Sequence, residues 1–316
     1  MPPLRPLAVA ALLLLAVALA ACSPTRLGRA AADRRFAAAG LEPVEIPLPG
    51  GGRLAARAGG SGPPLVLLMG FGAEAPIQWQ QQVRPFAARH RLFVPDLLWF
   101  GGSVGAPGAI RVEDQVAAVR AGMDALGIGR ADVVGISFGG IVAWGLAGAH
   151  PERVRRLVIV SSPGPAFTPE DHAAALARIG VPSLHELLLP AAPSGVQTTL
   201  GIVVPGLPAL PARALADLHA GFFSPPHRAE QSAMLDDLLR RMDAPDPSLP
   251  RPQAPTLLVW GDEDPLFPPG IAERLAALLP GGAETVVLPG AAHGPPASHP
   301  RGFNRAVLDF LAAPAE

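Results

Sequence analysis

A serine flanked by glycines has the setting in this chain that most clearly indicates chemistry. Ser137 stands at the centre of Gly-Ile-Ser-Phe-Gly, which occupies 135–139 and overlaps the end of the apolar run Asp132–Ile136. A G-x-S-x-G sequence between a buried strand and a helix forms a tight turn that leaves the serine hydroxyl exposed at the strand end. A serine hydroxyl is a weak nucleophile at neutral pH, so this setting predicts a base and a third group that orients it.

Candidates for the base and the acid follow two later apolar runs. His293 comes after Glu284–Leu288, and the carboxylates of Asp-Glu-Asp at 262–264 come directly after Thr256–Trp260. Serine, acid and histidine in this chain order are typical of nucleophile-elbow enzymes. His299 is a competing base, but its place at the start of the last predicted helix favours a surface role. From the residues alone, Asp262, Glu263 and Asp264 all remain open as the acid. The other histidines are interpreted as surface or helix-cap residues, at 90, 150, 172, 185, 219 and 227.

Apolar runs and amphipathic stretches alternate through most of the chain. The apolar runs predict buried strands at Leu65–Met69, Leu92–Val94, Asp132–Ile136, Val154–Val160, Thr256–Trp260 and Glu284–Leu288. The amphipathic stretches predict helices at Val112–Leu126, Ile141–Ala149, Ile271–Leu279 and Phe303–Leu311. This alternation predicts an α/β fold with a doubly wound, mostly parallel sheet. Ligands bind such sheets at the carboxyl ends of the strands, where the serine, the carboxylates and the histidine all stand.

Together these motifs resemble the α/β-hydrolase family over about 41–312, apart from a middle region. In that family a GxxDxxxP segment carries the acid and a GxGH segment carries the base. The resemblance therefore implies that Asp264 holds His293 and that His293 activates Ser137.

The resemblance also implies an oxyanion hole made of two backbone N–H groups. Phe138 would supply one and Phe71 the other, from a Met-Gly-Phe-Gly stretch that resembles the family's HGF loop. Met69 stands where the family usually has histidine. A further segment resembles the family's PDxxGxGxS sequence, in which Asp96 is expected to be structural. Trp99 replaces a glycine there, and we expect its ring to narrow the mouth of the pocket.

The alternation of strands and helices breaks between about 163 and 253, where α/β-hydrolases often insert a helical cap. Amphipathic pieces separated by prolines predict cap helices at Asp171–Ile179, Ala212–Phe223 and Arg228–Met242. The apolar residues of this region either line an acyl pocket or form the core of the cap. The predicted organisation is a hydrolase core over 41–162 and 254–316, with a helical cap over 163–253.

The N-terminal residues predict export. Arg5 precedes the apolar run Leu7–Ala21, which is shorter than the roughly 20 residues that cross a bilayer and is typical of a signal peptide. The run ends in Leu-Ala-Ala-Cys, which resembles the lipobox of bacterial lipoproteins. We therefore predict a signal peptide over 1–21, lipidation of Cys22 and a tether or short helix over 22–40. Ser23 favours the periplasmic face of the outer membrane; the alternative is ordinary cleavage, which leaves Cys22 as a free thiol.

Missing residue types exclude several kinds of chemistry. The chain has no lysine, no tyrosine and one cysteine. It therefore has no Walker A loop, no Schiff-base lysine, no intramolecular disulfide and no multi-cysteine zinc site. Epoxide hydrolases of the family need tyrosines and an aspartate nucleophile, so the family resemblance disfavours that activity. A net charge of −1 disfavours a nucleic-acid partner.

These observations predict a serine hydrolase that acts on a carboxylic ester, with an apolar acyl substrate, a membrane contact through Cys22, and no cofactor or metal. Carbon–carbon bond hydrolases and cofactor-free perhydrolases or haloperoxidases of the same family use the same residues and are alternatives. A catalytically idle, membrane-tethered binding protein is the alternative from another class, although the order of Ser137, Asp264 and His293 argues against it.

Overall fold

The chain folds around one eight-stranded sheet, in a computed structural model that describes residues 23–224, 226–243 and 249–313. The strand order across the sheet is β1-β2-β4-β3-β5-β6-β7-β8. The strands are β1 Leu41–Pro47, β2 Arg53–Gly59, β3 Pro64–Leu68, β4 Arg91–Pro95, β5 Ala131–Ile136, β6 Val154–Val160, β7 Thr256–Gly261 and β8 Glu284–Leu288. Strands β3 to β8 are parallel, and β1 and β2 add an antiparallel hairpin at one edge.

Helices connect the strands and cover both faces of the sheet. They are α1 Pro24–Ala38, α2 Ala75–Trp79, α3 Val83–Ala87, α4 Val112–Ala125, α5 Phe138–Ala149, α6 Pro169–Ile179, α7 Leu184–Leu188, α8 Pro193–Val203, α9 Ala212–Leu218, α10 Arg228–Asp243, α11 Gly270–Ala277, α12 Pro295–Ser298 and α13 Pro300–Ala312. Right-handed crossovers that run in opposite directions along a sheet place their helices on opposite faces. Helices α2 and α3 therefore lie on one face, and α4, α5 and α11 lie on the other. The predicted α/β fold with a doubly wound, mostly parallel sheet is confirmed.

The central strands form the core. Every residue of β5 and of β7 is buried, as expected when helices cover both faces of a parallel sheet. On one face the fully buried rings of Trp79, Phe86 and Phe303 pack together, with ring centroids 6.3 and 6.5 Å apart. This packing fixes α2, α3 and α13 against the sheet, and α2 directly follows one of the loops at the candidate site.

The antiparallel hairpin β1–β2 was not predicted from the sequence. Strand β1 contains Pro43 and Pro47, which lack a backbone N–H, and β2 is rich in alanine and glycine. Proline is tolerated in a strand that pairs on one side only, and β1 is the edge of the sheet. These two strands were therefore not predicted because their strand propensity is weak, whereas the apolar runs at the centre of the sheet did predict strands.

The middle region is helical. Helices α6 and α10 and the segment 212–223 correspond to the three predicted pieces, and the last of these ends in a π-helical turn over His219–Phe223. Two further cap helices, α7 and α8, had no clear periodicity in the sequence. The carbonyl of Ile202, near the end of α8, accepts a hydrogen bond from the His293 backbone N–H at 3.0 Å. The cap thus contacts the loop that carries the predicted base.

The segment after Cys22 is part of the fold and not a free tether. Helix α1 buries Ala32 and Phe36 completely. Its first turn also reaches the cap, because Thr25 N–H donates to Asp217 Oδ2 at 2.8 Å. Burial of Phe36 against the core supplies the stabilisation that a solvated linker would lack. Of the two alternatives predicted over 22–40, the tether is corrected and the helix is found: it runs from Pro24 to Ala38 and is docked on the core. Cys22 and the predicted signal peptide lie outside the described residues.

Candidate active site

Ser137 occupies a strained turn between β5 and α5. Its backbone has φ 51° and ψ −119°, a conformation that costs of the order of 1–3 kcal/mol and is tolerated only where the surroundings enforce it. Two glycines allow the turn: a Cβ at Gly135 would lie 2.2 Å from the Gly139 carbonyl oxygen, and one at Gly139 would lie 2.5 Å from the carbonyl oxygens of Leu68 and Met69. The turn leaves the Ser137 side chain partly exposed at the end of β5.

The side chains of Ser137, His293 and Asp264 form one hydrogen-bonded chain. His293 Nε2 lies 3.1 Å from Ser137 Oγ, and His293 Nδ1 lies 3.0 Å from Asp264 Oδ2. The other oxygen of Asp264 accepts the backbone N–H groups of Leu266 and Phe267, both at 2.9 Å. These bonds fix the carboxylate, which leaves Nε2 of a histidine protonated at Nδ1 free to accept the serine proton.

The neighbouring carboxylates and the second histidine have other contacts. Asp262 is exposed, and its Oδ1 accepts the Gly290 N–H at 2.7 Å, which ties together the two loops that carry the acid and the base. Glu263 is exposed as well. His299 pairs with the neighbouring Ser298 hydroxyl at 3.0 Å and precedes α13. Of the three carboxylates that the sequence left open, Asp264 is the one that contacts the histidine.

His90 is an exception to the surface or cap interpretation of the remaining histidines. Its side chain is 6% exposed, and burial lowers its pKa below the ordinary value. Its Nδ1 has no hydrogen-bond partner among the described residues. His90 follows α3 and precedes β4, far along the chain from the three side chains of the candidate site, so we interpret it as a core residue.

The two segments that carry the predicted oxyanion-hole donors, Phe71 and Phe138, lie beside Ser137. Phe138 begins α5, so its N–H has no acceptor within the helix and carries the positive end of the helix dipole. The loop that contains Phe71 passes close by, since a Cβ at Gly70 would lie 3.5 Å from Ser137 Cβ. The rings of Phe71 and Phe138 pack edge to face with centroids 5.8 Å apart. Met69, which replaces the family's usual histidine, is fully buried in the core.

Asp96 links the loop after β4 to the Phe71 loop. Its Oδ1 accepts the Ala75 N–H at 2.7 Å and its Oδ2 accepts the Gly102 N–H at 3.0 Å. Desolvation raises the pKa of Asp96 to about 6, and the two N–H donors oppose that shift. These bonds connect Asp96 to backbone and not to the Ser137 chain, which agrees with the structural role expected from the sequence.

Trp99 does not line the cavity beside Ser137, so the expectation that its ring narrows the pocket mouth is wrong. The side chain is 5% exposed and lies against Gly105. Its backbone has φ 72°, the left-handed region that explains why related chains carry glycine here. The Trp99 carbonyl accepts the side-chain amide of Gln231 at 2.7 Å. Trp99 therefore joins the core to cap helix α10.

Arg29 of helix α1 bridges the core and the cap, and no sequence motif pointed to it. It forms an ion pair with Glu74, which directly precedes α2 and follows the Phe71 loop. It also donates to the Gly221 carbonyl of the cap at 2.9 Å, and its guanidinium lies 5.1 Å from the centroid of the Phe222 ring. These partners are 45 to 193 residues away along the chain, so local sequence patterns carry no signal for the contact.

A cavity of about 740 Å³ extends from Ser137 between the sheet helices and the cap. This volume lies within the roughly 300–1,000 Å³ typical of small-molecule sites. Near Ser137 its wall is apolar and consists of Phe71, Phe138, Phe167, Leu184, Leu188 and Phe267. Within the described ranges, no helix is both long and apolar enough to cross a membrane, and no cluster of side chains is suited to hold a metal ion.

This fold, with a serine, a histidine and an aspartate at the strand ends, is the arrangement of an α/β-hydrolase. The family model of the alpha/beta hydrolase fold matches residues 63–233 and 230–300. The chain therefore belongs to the alpha/beta hydrolase fold family.

Proteins similar to this chain include an esterase, a phospholipase and a polyketide synthase that contains a similar segment. The pimeloyl-[acyl-carrier protein] methyl ester esterase of Aeromonas hydrophila is 30% identical over 80% of this chain and 96% of that protein. The polyketide synthase ThaQ of Burkholderia thailandensis is 32% identical over 84% of this chain, which spans only 12% of ThaQ. The solved structure of a membrane phospholipase A, described as a bacterial virulence factor, is 27% identical with a TM-score of 0.78 over 96% of each chain. The comparisons support a hydrolase.

Proposed function

We propose that this chain is a serine hydrolase of carboxylic esters. The observation that carries the proposal is the chain of hydrogen bonds from Ser137 through His293 to Asp264, with distances of 3.1 and 3.0 Å. Ser137 and His293 come from loops 156 residues apart, and the strained backbone at Ser137 is maintained at a cost in stability. A solely structural turn would need neither feature.

The reaction proceeds through an acyl-enzyme. Ser137 Oγ attacks the ester carbonyl while His293 Nε2 takes its proton, and Asp264 stabilises the imidazolium through Nδ1–H. The N–H groups of Phe71 and Phe138 stabilise the negative oxygen of the tetrahedral intermediate. His293 then gives its proton to the departing alcohol oxygen. Water attacks the acyl-enzyme by the same steps, which releases the acid and restores Ser137.

Labelling with a fluorophosphonate probe tests the nucleophile. The wild-type protein should be labelled and the Ser137→Ala variant should not. Ser162→Ala is a matched control, because Ser162 is a fully buried serine after the neighbouring strand β6; it should be labelled like the wild type. Absence of labelling in the native protein, or equal labelling of Ser137→Ala, would contradict the proposal and favour an idle binding protein.

A substrate panel tests the reaction class. The panel contains p-nitrophenyl esters and an aryl dienoate of the kind cleaved by carbon–carbon bond hydrolases. We expect Ser137-dependent hydrolysis of the esters with the higher kcat/KM. Preferential cleavage of the dienoate would instead assign carbon–carbon bond hydrolysis to the same three residues.

The N-terminal sequence supports a second proposal, that Cys22 carries a lipid which holds the protein at the periplasmic face of the outer membrane. Ser23 caps helix α1 by accepting the Arg26 N–H at 3.1 Å, so the cysteine directly precedes a docked helix. Metabolic labelling with a fatty-acid analogue should occur in the wild type and disappear in Cys22→Ala. Persistence of the label in Cys22→Ala, or its absence from the wild type, would contradict lipidation at this residue.

A further inference from the structure

The cavity beside Ser137 follows one stripe of helix α5. Ile141, Gly145 and Ala149 are spaced four residues apart, so they lie on one face of the helix. All three line the cavity and keep accessible surface. Four of the residues between them, Val142, Ala143, Leu146 and Ala147, are buried to within 1%, while Trp144 is 5% exposed and also lines the cavity. The cavity is therefore a groove along this face of α5, and other helices form its remaining walls.

The other walls of the groove are apolar along most of its length. Helix α4 contributes Val112 and Val116, and cap helix α10 contributes Leu235 and Leu238. From Ser137 to Ala149 the helix rises by about 18 Å at roughly 1.5 Å per residue. A space this long, with apolar walls on both sides, fits an unbranched hydrocarbon chain in an extended form.

The groove lies on the acyl side of the ester. Its wall includes Ser137 and both phenylalanines whose N–H groups would face the oxyanion, Phe71 and Phe138. His293 is not part of this wall, although its Nε2 must reach the oxygen of the departing alcohol. The acyl substituent extends away from the leaving oxygen, so it is the acyl chain and not the alcohol that enters the groove.

Charged side chains also line part of the groove. The charged side chains there are Arg111, Glu113, Arg120, Asp237, Arg240 and Arg241. Several pair with each other, as in the contacts of Arg241 with Glu113 and Asp237, both at 2.7 Å. Ala149 is exposed, so a methyl terminus that passes it reaches solvent, and further methylenes gain no burial.

We propose that this groove is an acyl tunnel that selects medium to long unbranched acyl chains, with Gly145 and Ala149 as the residues that set the usable length. The proposal rests on the proposed ester hydrolysis at Ser137. At Gly145 there is no side chain, and an added Cβ would lie 3.1 Å from Val116 Cγ2 and 3.5 Å from Val112 Cγ1. Any larger residue at 145 would fill the groove about 12 Å from Ser137 along the helix.

The test measures kcat/KM for p-nitrophenyl butyrate, octanoate, laurate and myristate. In the wild type, kcat/KM should rise with chain length, by up to about fourfold for each buried methylene, and level off where the chain reaches Ala149. Gly145→Leu should lower the laurate-to-butyrate ratio at least about tenfold. Ala149→Phe should lower mainly the myristate-to-octanoate ratio, since it obstructs the groove farther from Ser137.

Gly201→Leu is the matched control. Gly201 is an exposed helical glycine with no atom within 4 Å of an added Cβ, and it does not line the cavity. Its chain-length profile should equal that of the wild type. The tunnel is refuted if Gly145→Leu and Ala149→Phe leave the chain-length ratios of kcat/KM unchanged while Ser137-dependent hydrolysis persists. That result would leave the proposed function intact.

A binding measurement keeps the tunnel testable apart from catalysis and folding. Calorimetric titration of Ser137→Ala with laurate should show binding, weakened at least about tenfold in Ser137→Ala/Gly145→Leu and in Ser137→Ala/Ala149→Phe. Circular dichroism identifies any variant that fails to fold, in which case the other variant decides. If the native protein is not labelled by the fluorophosphonate but laurate still binds more weakly to the two double variants, the proposed hydrolysis is wrong and the acyl groove is supported. If the folded double variants bind laurate as tightly as Ser137→Ala does, the acyl groove is refuted.

Discussion

Replacement of Asp264 by asparagine tests the hydrogen-bonded chain at its most specific point. Asp264→Asn keeps one oxygen for the N–H groups of Leu266 and Phe267, so the loop retains its two bonds of 2.9 Å. The other end of the amide then presents an NH₂ group to His293 Nδ1. A donor facing Nδ1 favours the tautomer with the proton on Nε2, and that proton points at Ser137 and prevents the histidine from acting as a base.

The expected loss follows from this tautomer change. In serine enzymes with the same chain of groups, the substitution lowers kcat by about ten-thousand-fold, which corresponds to about 5 kcal/mol of lost transition-state stabilisation. The loss in thermal stability should be small, because the side-chain volume and the two backbone hydrogen bonds are retained. A large catalytic effect with a small stability effect separates a role in the reaction from a role in folding.

Asp262→Asn is the matched control in the same loop. Its oxygen accepts the Gly290 N–H at 2.7 Å, a contact that asparagine can keep, and it is exposed. We expect kcat/KM for a p-nitrophenyl ester and the rate of fluorophosphonate labelling to stay within about threefold of the wild type. The reasoning is refuted if Asp264→Asn keeps more than a tenth of the wild-type kcat, or if Asp262→Asn loses more activity than Asp264→Asn.

Further predictions concern the parts that surround the site. Arg29→Ala breaks the ion pair with Glu74, but because the Arg29 side chain is 40% exposed it should lower the free energy of unfolding in urea by only about 1–2 kcal/mol. Arg26→Ala, at an exposed position on the same helix, should change this free energy by less than about 0.5 kcal/mol. Equal losses in the two variants would contradict a bridging role of Arg29. The folded state raises the pKa of Asp96 from 3.8 to about 6, so it retains this proton at a pH where the unfolded chain has released it. The free energy of unfolding of the wild type, measured relative to that of Asp96→Asn, should therefore fall between pH 4 and 7 by at most about 3 kcal/mol. A rise of this difference with pH would refute the prediction. Ser162 has a buried hydroxyl without a hydrogen-bond partner in the described chain, so Ser162→Ala should leave the unfolding free energy unchanged or raise it by up to about 1 kcal/mol; a clear loss would reveal a bond to a buried water.

The order of strands and helices could be predicted from the sequence where a strand is buried on both faces of the sheet. The runs that became β5, β6 and β7 are apolar except at Asp132, Arg155, Arg156 and Thr256, and the structure moves their bounds by one residue at most. Hairpin β1–β2 was not predicted because proline, alanine and glycine give its strands weak propensity, and cap helices α7 and α8 were not predicted because their sequences show no clear periodicity. The segment of helix α1 was predicted as a tether or a short helix, because nothing in its run of arginines and alanines indicates that Ala32 and Phe36 are buried against the core.

Adjacent residues encode the strand–helix alternation and the place of Ser137, because both depend on local apolar runs and a glycine-flanked turn. The sequence also puts a histidine and a group of carboxylates at the ends of later strands. The contact of His293 with Asp264, and not with Asp262, depends on the folded chain, since the conformation of the loop directs these two carboxylates differently. The groove along α5 likewise depends on tertiary structure, because its walls come from helices that meet only in the folded chain.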